Sequence, residues 1–177
     1  MNVFLDTSVL LAGLIDFGPQ SAPAQSVMHS IAEERVTKPA TAWHCCLEFF
    51  SVATRLPPEF RLTPADAVQL LHEEVFSRMN VHDLPPAARL PMLRAAAHDG
   101  ITGGRTYDAH IAEVARAAGA SVIVTERLGL STSITGVHVS RAARLTCTGC
   151  DAVGFACCPC ALGAAIKTHA ASPNAAR

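Results

Sequence analysis

Short apolar runs alternate along this chain with longer segments whose apolar residues recur at helical spacing. Strands are predicted at 1–5, 81–84, 121–125 and 136–140. Helices are predicted from a cap at Thr7 or Ser8 through Leu14, and over 25–34, 41–54, 63–75, 87–98 and 106–118, the last closed by Gly119. This alternation is typical of a parallel sheet covered on both faces. The pattern therefore predicts an α/β fold, and it fades after residue 141.

The composition limits the class of protein but does not indicate a particular reaction. The chain has 177 residues, a formal net charge of -1, 50% hydrophobic residues and 16% charged residues. That is enough for one domain with a core, and too apolar for a disordered chain. Because the chain has no large basic field, we expect any bound nucleic acid to be held by a local patch or through metal ions.

No segment is typical of a membrane span or a secretory leader. Asp6 and Asp16 interrupt the apolar stretch at 3–17, and the apolar run at 155–166 is shorter than the ~20 residues that cross a bilayer. We therefore expect a cytoplasmic protein that does not associate with membranes.

Two acidic residues directly follow predicted strands. Asp6 comes after the strand at 1–5, and Glu126 comes after the strand at 121–125, where Thr125 can orient the turn through a local hydrogen bond. Parallel sheets bind ligands outside the carboxyl ends of their strands. Asp6 is therefore a candidate for a ligand-binding crevice and equally for a helix cap, since caps use the same residue types.

Two further acids lie on predicted helices. Glu48 is inside the apolar stretch 45–50, where a buried carboxylate needs a partner such as a metal ion, unless it faces solvent on a polar stripe. Asp108 is near the start of the helix at 106–118, where the helix dipole favours an ionised carboxylate, although acids are common in any first turn.

Considered together, the four acids indicate a metal site. Carboxylates gathered without basic partners repel one another, and a divalent ion removes that repulsion. Oxygen ligands select hard ions such as Mg²⁺ or Mn²⁺. Such a cluster suits metal-assisted hydrolysis of a phosphodiester.

Four segments, in a fixed order, carry a resemblance to a known family. They are the strand and aspartate at 4–11, the glutamate helix at 43–52 followed by 55–57, the third acidic motif at 103–112, and the strand at 118–125. Together they resemble the PIN-domain ribonucleases, the fold of the VapC-like toxins of toxin–antitoxin pairs. The resemblance covers residues 1–140 and implies a PIN-like three-layer α/β/α fold with a central parallel β-sheet.

The resemblance also implies a function. It implies a Mg²⁺- or Mn²⁺-dependent endoribonuclease that cleaves RNA phosphodiester bonds as the toxin of a type II toxin–antitoxin pair. It implies metal-ligand roles for Asp6, Glu48 and Asp108. Glu126 is a further candidate catalytic acid, because it follows the strand at 121–125. RNA is then the substrate, a cognate antitoxin protein is the inhibitor, and a homodimer is expected.

The fourth motif departs from the family pattern. The family has Thr, any residue, then Asp or Asn, whereas this chain has Thr125-Glu126-Arg127. Either Glu126 reaches the metal through its longer side chain, or Arg127 contacts RNA phosphate, or the fourth ligand is missing. Three acids still suffice for one Mg²⁺ with waters. The departure favours an alternative, a catalytically decayed PIN-like module that binds RNA or a protein.

Two residues beside Asp108 are candidate RNA contacts. Arg105 is placed to hold a phosphate and Tyr107 to stack on an unpaired base, although a surface arginine and a half-buried tyrosine are the commoner explanations. The eight histidines show no ligand-like spacing, and none is assigned as a metal ligand.

The segment 141–177 is predicted to be a Cys-rich, poorly ordered tail that follows the domain at 1–140. Five of the seven cysteines lie here, and four of them form two CxxC pairs, Cys147 with Cys150 and Cys157 with Cys160. The gap between the pairs is shorter than in the commoner zinc signature. The two CxxC pairs still leave a zinc-containing interaction protein as a third hypothesis. A disordered tail is the simpler interpretation.

Overall fold

The structure is a computed structural model that describes residues 2–126 and the strand backbone at 138–141. Along these residues the elements are β1 (Val3–Leu5), α1 (Thr7–Leu14), α2 (Ala22–Ala32), β2 (Ala40–Ala42), α3 (Trp43–Ala53), α4 (Pro64–Leu70), β3 (Asn80–His82), α5 (Pro86–His98), α6 (Arg105–Ala117), β4 (Val122–Thr125) and β5 (His138–Arg141). A 3₁₀ turn at Pro19–Ser21 leads into α2, and a π-helix at Leu71–Phe76 continues α4.

The strands form one parallel sheet with the order β3-β2-β1-β4-β5. At its centre Leu5 pairs with Thr41 of β2 on one side and with Val124 of β4 on the other. The strand order reverses between β1 and β4, because the chain moves outward through β2 and β3 before it returns. In open parallel sheets a ligand crevice opens at such a reversal, outside the carboxyl ends of the strands. The residues that follow Leu5 and Thr125 meet at that edge.

Helices cover both faces of this sheet. The connections from β1 to β2 and from β2 to β3 move across the sheet toward one edge. The connection from β3 to β4 moves across the sheet in the opposite direction. Because parallel connections are right-handed, α1 to α4 lie on one face and α5 and α6 on the opposite face. Accordingly α1 packs on α2 and α3, and α5 packs on α6. The predicted three-layer α/β/α fold with a central parallel sheet is confirmed.

The core is built from the strands and the inward faces of the helices. Phe4 and Leu5 of β1, Phe49 of α3, Ile111 of α6 and Ile123 of β4 are each at most 2% exposed. These buried anchors hold the ends of β1, α3 and α6 in fixed relation to one another. Within residues 2–126, no helix is long and apolar enough to cross a membrane.

One strand is absent from the sequence-based prediction. A helix is predicted over 41–54, but the chain first forms β2 at Ala40–Ala42, and α3 begins only at Trp43. Two alanines in a three-residue strand carry no strand signal of their own, since alanine is depleted in strands. Pairing with β1 on one side and β3 on the other decides the conformation.

The helix predicted over 63–75 is split into two forms. Thr63 caps α4 by accepting a hydrogen bond from the Asp66 N–H, and Pro64 is its first residue. After Leu70 the chain continues as the π-helix through Phe76.

Gly119 follows α6 with a φ of 69°, the left-handed conformation that favours glycine at a helix end, as predicted.

Candidate active site

Asp6 lies where β1 ends and α1 begins, and it caps that helix. Its Oδ1 accepts a 2.8 Å hydrogen bond from the Thr7 N–H. The prediction of a cap at Thr7 or Ser8 is wrong by one or two positions, because Asp6 keeps an extended backbone and Thr7 is already helical. Asp6 is 4% exposed at the carboxyl edge of the sheet. It thus combines the two positions that the sequence left open, the helix cap and the strand edge.

Two hydroxyl groups hold the other oxygen of Asp6. Ser8 Oγ and Thr125 Oγ1 each donate to Asp6 Oδ2 at 2.8 Å. These two hydroxyl oxygens are 3.2 Å apart, but each has one hydrogen and a carboxylate only accepts, so both hydrogens point at Asp6. The Glu126 N–H donates to Ser8 Oγ at 3.0 Å and fixes that hydroxyl in turn. With three donors on about four acceptor positions, Asp6 is held rigidly and keeps about one lone pair for a ligand.

Glu48 is tied to Asp6 through the residue between them. Its Oε2 accepts a 2.7 Å hydrogen bond from Thr7 Oγ1. Thr7 is 4% exposed, and it gives its N–H to Asp6 and its O–H to Glu48. One buried residue therefore orients two carboxylates that come from different elements. The sequence predicts that Glu48, in the apolar stretch 45–50, needs a partner such as a metal ion. In this structure the Thr7 hydroxyl is a partner of its carboxylate.

The carboxylates of Asp6, Glu48 and Asp108 line one cleft of about 250 Å³. Asp108 enters it from the first turn of α6, as predicted. The remaining lining is polar at Thr7, Ser8 and Tyr107, open at Gly104, and apolar at Leu11, Val52 and Ile111. None of these described lining residues is a lysine or an arginine. The cleft is therefore chemically suited to a cation.

The other predicted site residues lie beside the cleft or beyond the described chain. Glu126 is partly buried at the end of β4, with its N–H on Ser8, and it is not among the described residues that line the cleft. Arg105 begins α6 and is exposed. Arg127 and the segment 142–177, with both CxxC pairs, lie outside the described residues. The division into 1–140 and 141–177 therefore stays a prediction.

The donor set of the cleft fits a hard divalent cation in its chemistry, because it offers carboxylate oxygens from three elements. The side chains have not yet converged on a point. Within residues 2–126, no group of three or more His, Cys, Asp or Glu side chains is arranged to hold a metal ion. Asp6, which accepts three hydrogen bonds, has the least freedom to move toward an ion.

Three aromatic rings form a stack at the rim of the cleft. His44 of α3 lies nearly parallel to Tyr107 of α6, with 5.1 Å between ring centroids and an interplanar angle of 9°. His110 of α6 meets His44 edge-on at 5.6 Å and 74°. Burial and the neighbouring His44 lower the pKa of His110. Sequence reasoning missed His44, although it precedes Glu48 by four residues and so shares its face of α3.

A neutral thiol lies behind the carboxylates. Burial raises the pKa of Cys45 to about 11; hydrogen bonding with the Thr7 side chain opposes this shift, and the negative charge of Asp6 adds to it. The adjacent Cys46 is also buried, and its pKa is about 12. Because neither thiol ionises near neutral pH, the negative charge of the site remains on the carboxylates.

The fold and the cleft define an α/β protein with an acidic site at the carboxyl edge of a parallel sheet. The family model described as "PIN domain" matches residues 2–127. The chain therefore belongs to the PIN domain family, and the family expected from the sequence is confirmed.

Curated relatives come from Mycobacterium tuberculosis. Ribonuclease VapC40 is 31% identical over 131 residues, which are 72% of this chain and 88% of that protein. Ribonuclease VapC27 is 37% identical over 105 residues, which are 59% of this chain and 74% of that protein.

Solved structures share the fold at lower sequence identity. The DNA-bound VapBC of Salmonella typhimurium has a TM-score of 0.58 at 18% identity, covering 81% of this chain and 99% of the compared one. The M. tuberculosis VapC20, described as a sarcin-ricin loop cleaving toxin, has a TM-score of 0.54 at 15% identity, covering 69% and 87%.

Proposed function

We propose that this chain is a Mg²⁺- or Mn²⁺-dependent endoribonuclease and the toxin of a type II toxin–antitoxin pair. The observation that carries the proposal is the cleft at the reversal of the sheet, which Asp6, Glu48 and Asp108 line together. Membership of the PIN domain family supports the same activity, as does similarity to proteins named ribonuclease. A divalent cation in this cleft would also explain how a chain of net charge -1 binds RNA, which is negatively charged.

Asp6, Glu48 and Asp108 are the residues that would hold the ion. When bound, a hard divalent cation lowers the pKa of a water and neutralises charge that develops on the scissile phosphate. The chain itself supplies orientation. Thr7 fixes Glu48, and Thr125 with Ser8 fixes Asp6, so little side-chain freedom remains to be lost when RNA and ion arrive. Glu126 is proposed as a further acid at the same edge.

Residues at the rim are proposed to contact the RNA. Arg105 is exposed at the start of α6, where its guanidinium can hold a phosphate. Tyr107 lines the cleft and is 58% exposed, so its ring is open to an unpaired base. Arg127, two positions after Thr125, is a further candidate for a phosphate contact.

A cognate antitoxin and a second copy of the chain are the proposed protein partners, and the cytoplasm is the proposed location. VapBC complexes are among the structures that share the fold. Exposed apolar side chains on α3 and α5, namely Trp43, Leu47, Leu90 and Leu93, supply surface of the kind that protein partners cover.

The test is Mn²⁺-dependent cleavage of a mixed cellular RNA pool by the wild type, Asp6→Asn and Asp108→Asn. Glu113→Gln is the matched control, because it removes an acid from α6 that pairs with Arg116 instead of lining the cleft. We expect discrete fragments from the wild type and the control, and none from the two asparagine variants or after chelation of the metal.

Asp6→Asn is expected to leave the chain folded. Asparagine caps a helix as well as aspartate does. Its Oδ1 still accepts from the Thr7 N–H, and the hydroxyls of Ser8 and Thr125 can rotate to accept from its Nδ2. A loss of cleavage therefore reports on the carboxylate. Cleavage that survives both asparagine substitutions contradicts the proposed function.

A second candidate is a catalytically decayed PIN-like module that binds RNA or a protein. One observation favours it: the order Thr125-Glu126-Arg127, where the family has Thr, any residue, then Asp or Asn. Titration with Mn²⁺ separates the two candidates, because a decayed site binds the ion weakly or not at all.

A further inference from the structure

The rings of His44, Tyr107 and His110 lie together beside the carboxylates of the cleft. The rings of His44 and Tyr107 are nearly parallel at 9°, and the distance between their centroids lies in the range of favourable aromatic stacking. Tyr107 is 58% exposed although His44 covers one face of its ring. The ring is therefore supported on one side and open on the other.

The position of the stack ties it to the cleft. Tyr107 lines the cleft and directly precedes Asp108. His44 precedes Glu48 by one helical turn on α3, so the two helices that deliver these carboxylates also deliver the two stacked rings. A group seated on Tyr107 would thus be next to the group held by the carboxylates.

We propose that the His44–Tyr107 stack seats an unpaired base of the RNA next to the phosphate that is cleaved, with His44 as a positioning residue that acts through Tyr107. This inference rests on the proposed nuclease function. Proteins hold single-stranded RNA by stacking splayed bases on aromatic rings, whereas a base within a duplex is covered on both faces. The adjoining carboxylates favour a base linked to an ion-bridged phosphate over an acidic peptide.

His44 is assigned to Tyr107 and not to the RNA directly, because Tyr107 already lies against one face of its ring. Edge-on contact with His110 holds His44 from the other helix. Without His44, the Tyr107 side chain regains rotational freedom, and this freedom must be lost again when a base binds. His44→Ala should therefore weaken the same interaction as Tyr107→Ala, but to a smaller extent.

The experiment measures binding of a short single-stranded RNA of randomised sequence with a central 2-aminopurine, whose fluorescence falls when it stacks. Cleavage is blocked in every variant by Glu48→Gln, which keeps an acceptor for the Thr7 hydroxyl. The variants are His44→Ala, Tyr107→Ala, Tyr107→Phe and the double alanine variant. Phe76→Ala is the matched control, since Phe76 is an aromatic residue that is 44% exposed but contacts Trp43 and does not line the cleft.

We expect Tyr107→Ala to raise Kd by about 5- to 150-fold, the range for one stacked base, and to abolish the quenching. Tyr107→Phe keeps the ring and should bind as the parent does. His44→Ala should raise Kd by about two- to tenfold. If His44 acts through Tyr107, the double variant binds no more weakly than Tyr107→Ala alone. An unlabelled RNA duplex should compete poorly with the single strand.

Equal quenching and Kd in the parent and Tyr107→Ala would overturn the inference. So would additive losses in the double variant, which would give His44 its own contact. If RNA binding is unchanged but Tyr107→Ala relieves inhibition by the antitoxin, the rings belong to a protein interface instead. Cleavage by the unblocked wild type is measured in parallel: its absence counts against the proposed nuclease, whereas cleavage that Tyr107→Ala leaves unchanged counts against this inference alone.

Discussion

Removing the Thr7 hydroxyl should weaken metal binding while the chain stays folded. Valine has nearly the shape of threonine, so Thr7→Val keeps the N–H that bonds Asp6 Oδ1 and loses the 2.7 Å bond to Glu48 Oε2 together with the contact to the neutral Cys45 thiol. Thr7 is 4% exposed, so an apolar group is tolerated there. Glu48 is the one carboxylate whose hydrogen bond to Thr7 is removed.

The magnitude follows from the type of bond that is lost. A hydrogen bond to a charged acceptor contributes about 1.5–3 kcal/mol. Groups that orient metal ligands typically contribute about 10- to 100-fold in affinity, which is about 1.4–2.8 kcal/mol. The two ranges agree, so we expect Mn²⁺ to bind Thr7→Val about 10- to 100-fold more weakly than the wild type.

Calorimetric titration with Mn²⁺ measures this directly, and circular dichroism checks the fold. Thr7→Ser keeps the hydroxyl and should bind Mn²⁺ nearly as the wild type does. Glu48→Gln gives the effect of losing the carboxylate charge itself. If Thr7→Val binds Mn²⁺ with wild-type affinity while Glu48→Gln does not, the hydroxyl does not orient Glu48 and the reasoning is refuted.

Three further predictions concern the scaffold around the site. Phe49 is fully buried in α3, so Phe49→Ala should lower the free energy of unfolding by about 3–5 kcal/mol in urea denaturation, and a change below about 1 kcal/mol would contradict its burial. Because the pKa of His110 is lowered from 6.5, its neutral form stabilises the folded chain above that pH, and this contribution is lost as the pH falls through the lower folded-state value. The urea midpoint should therefore fall more for the wild type than for His110→Gln between about pH 8 and about pH 5, and parallel curves would argue against it. The buried Cys45 and Cys46 have pKa values of about 11 and 12, so a disulfide reagent at neutral pH should label neither until urea unfolds the chain; rapid labelling of the peptide that contains these two cysteines, separated from the other five by peptide mapping, would contradict this.

The sequence predicts the parts of this fold that depend on local pattern. The apolar run before Asp6 and the β-branched run before Thr125 indicate β1 and β4, because these strands are buried on both faces. The Thr63-Pro64 pair predicts the start of α4 from capping alone. β2 is missed because its conformation is set by neighbours that the sequence pattern does not reveal.

The candidate site divides in the same way. Asp6, Glu48 and Asp108 are predicted from residue type and position along their elements, and the structure brings all three to one cleft. The bonds that orient them are not predictable from spacing, because Thr7 and Glu48 are 41 residues apart and Thr125 and Asp6 are 119 apart. Only the completed sheet brings such pairs together.

The long separation of Asp6 and Thr125 along the sequence also determines when the site can form during synthesis of the chain. The ribosome releases α1 and Asp6 early, but Thr125, which completes the hold on Asp6, belongs to the last-made part of the matched family region. Closing so long a loop is slow, and its entropy is lost before the contact forms. A nascent or prematurely terminated chain that stops before β4 therefore lacks an assembled site. For an enzyme proposed to cut RNA, this delays activity until the chain has been made beyond β4, which limits cleavage of the message that is still being translated.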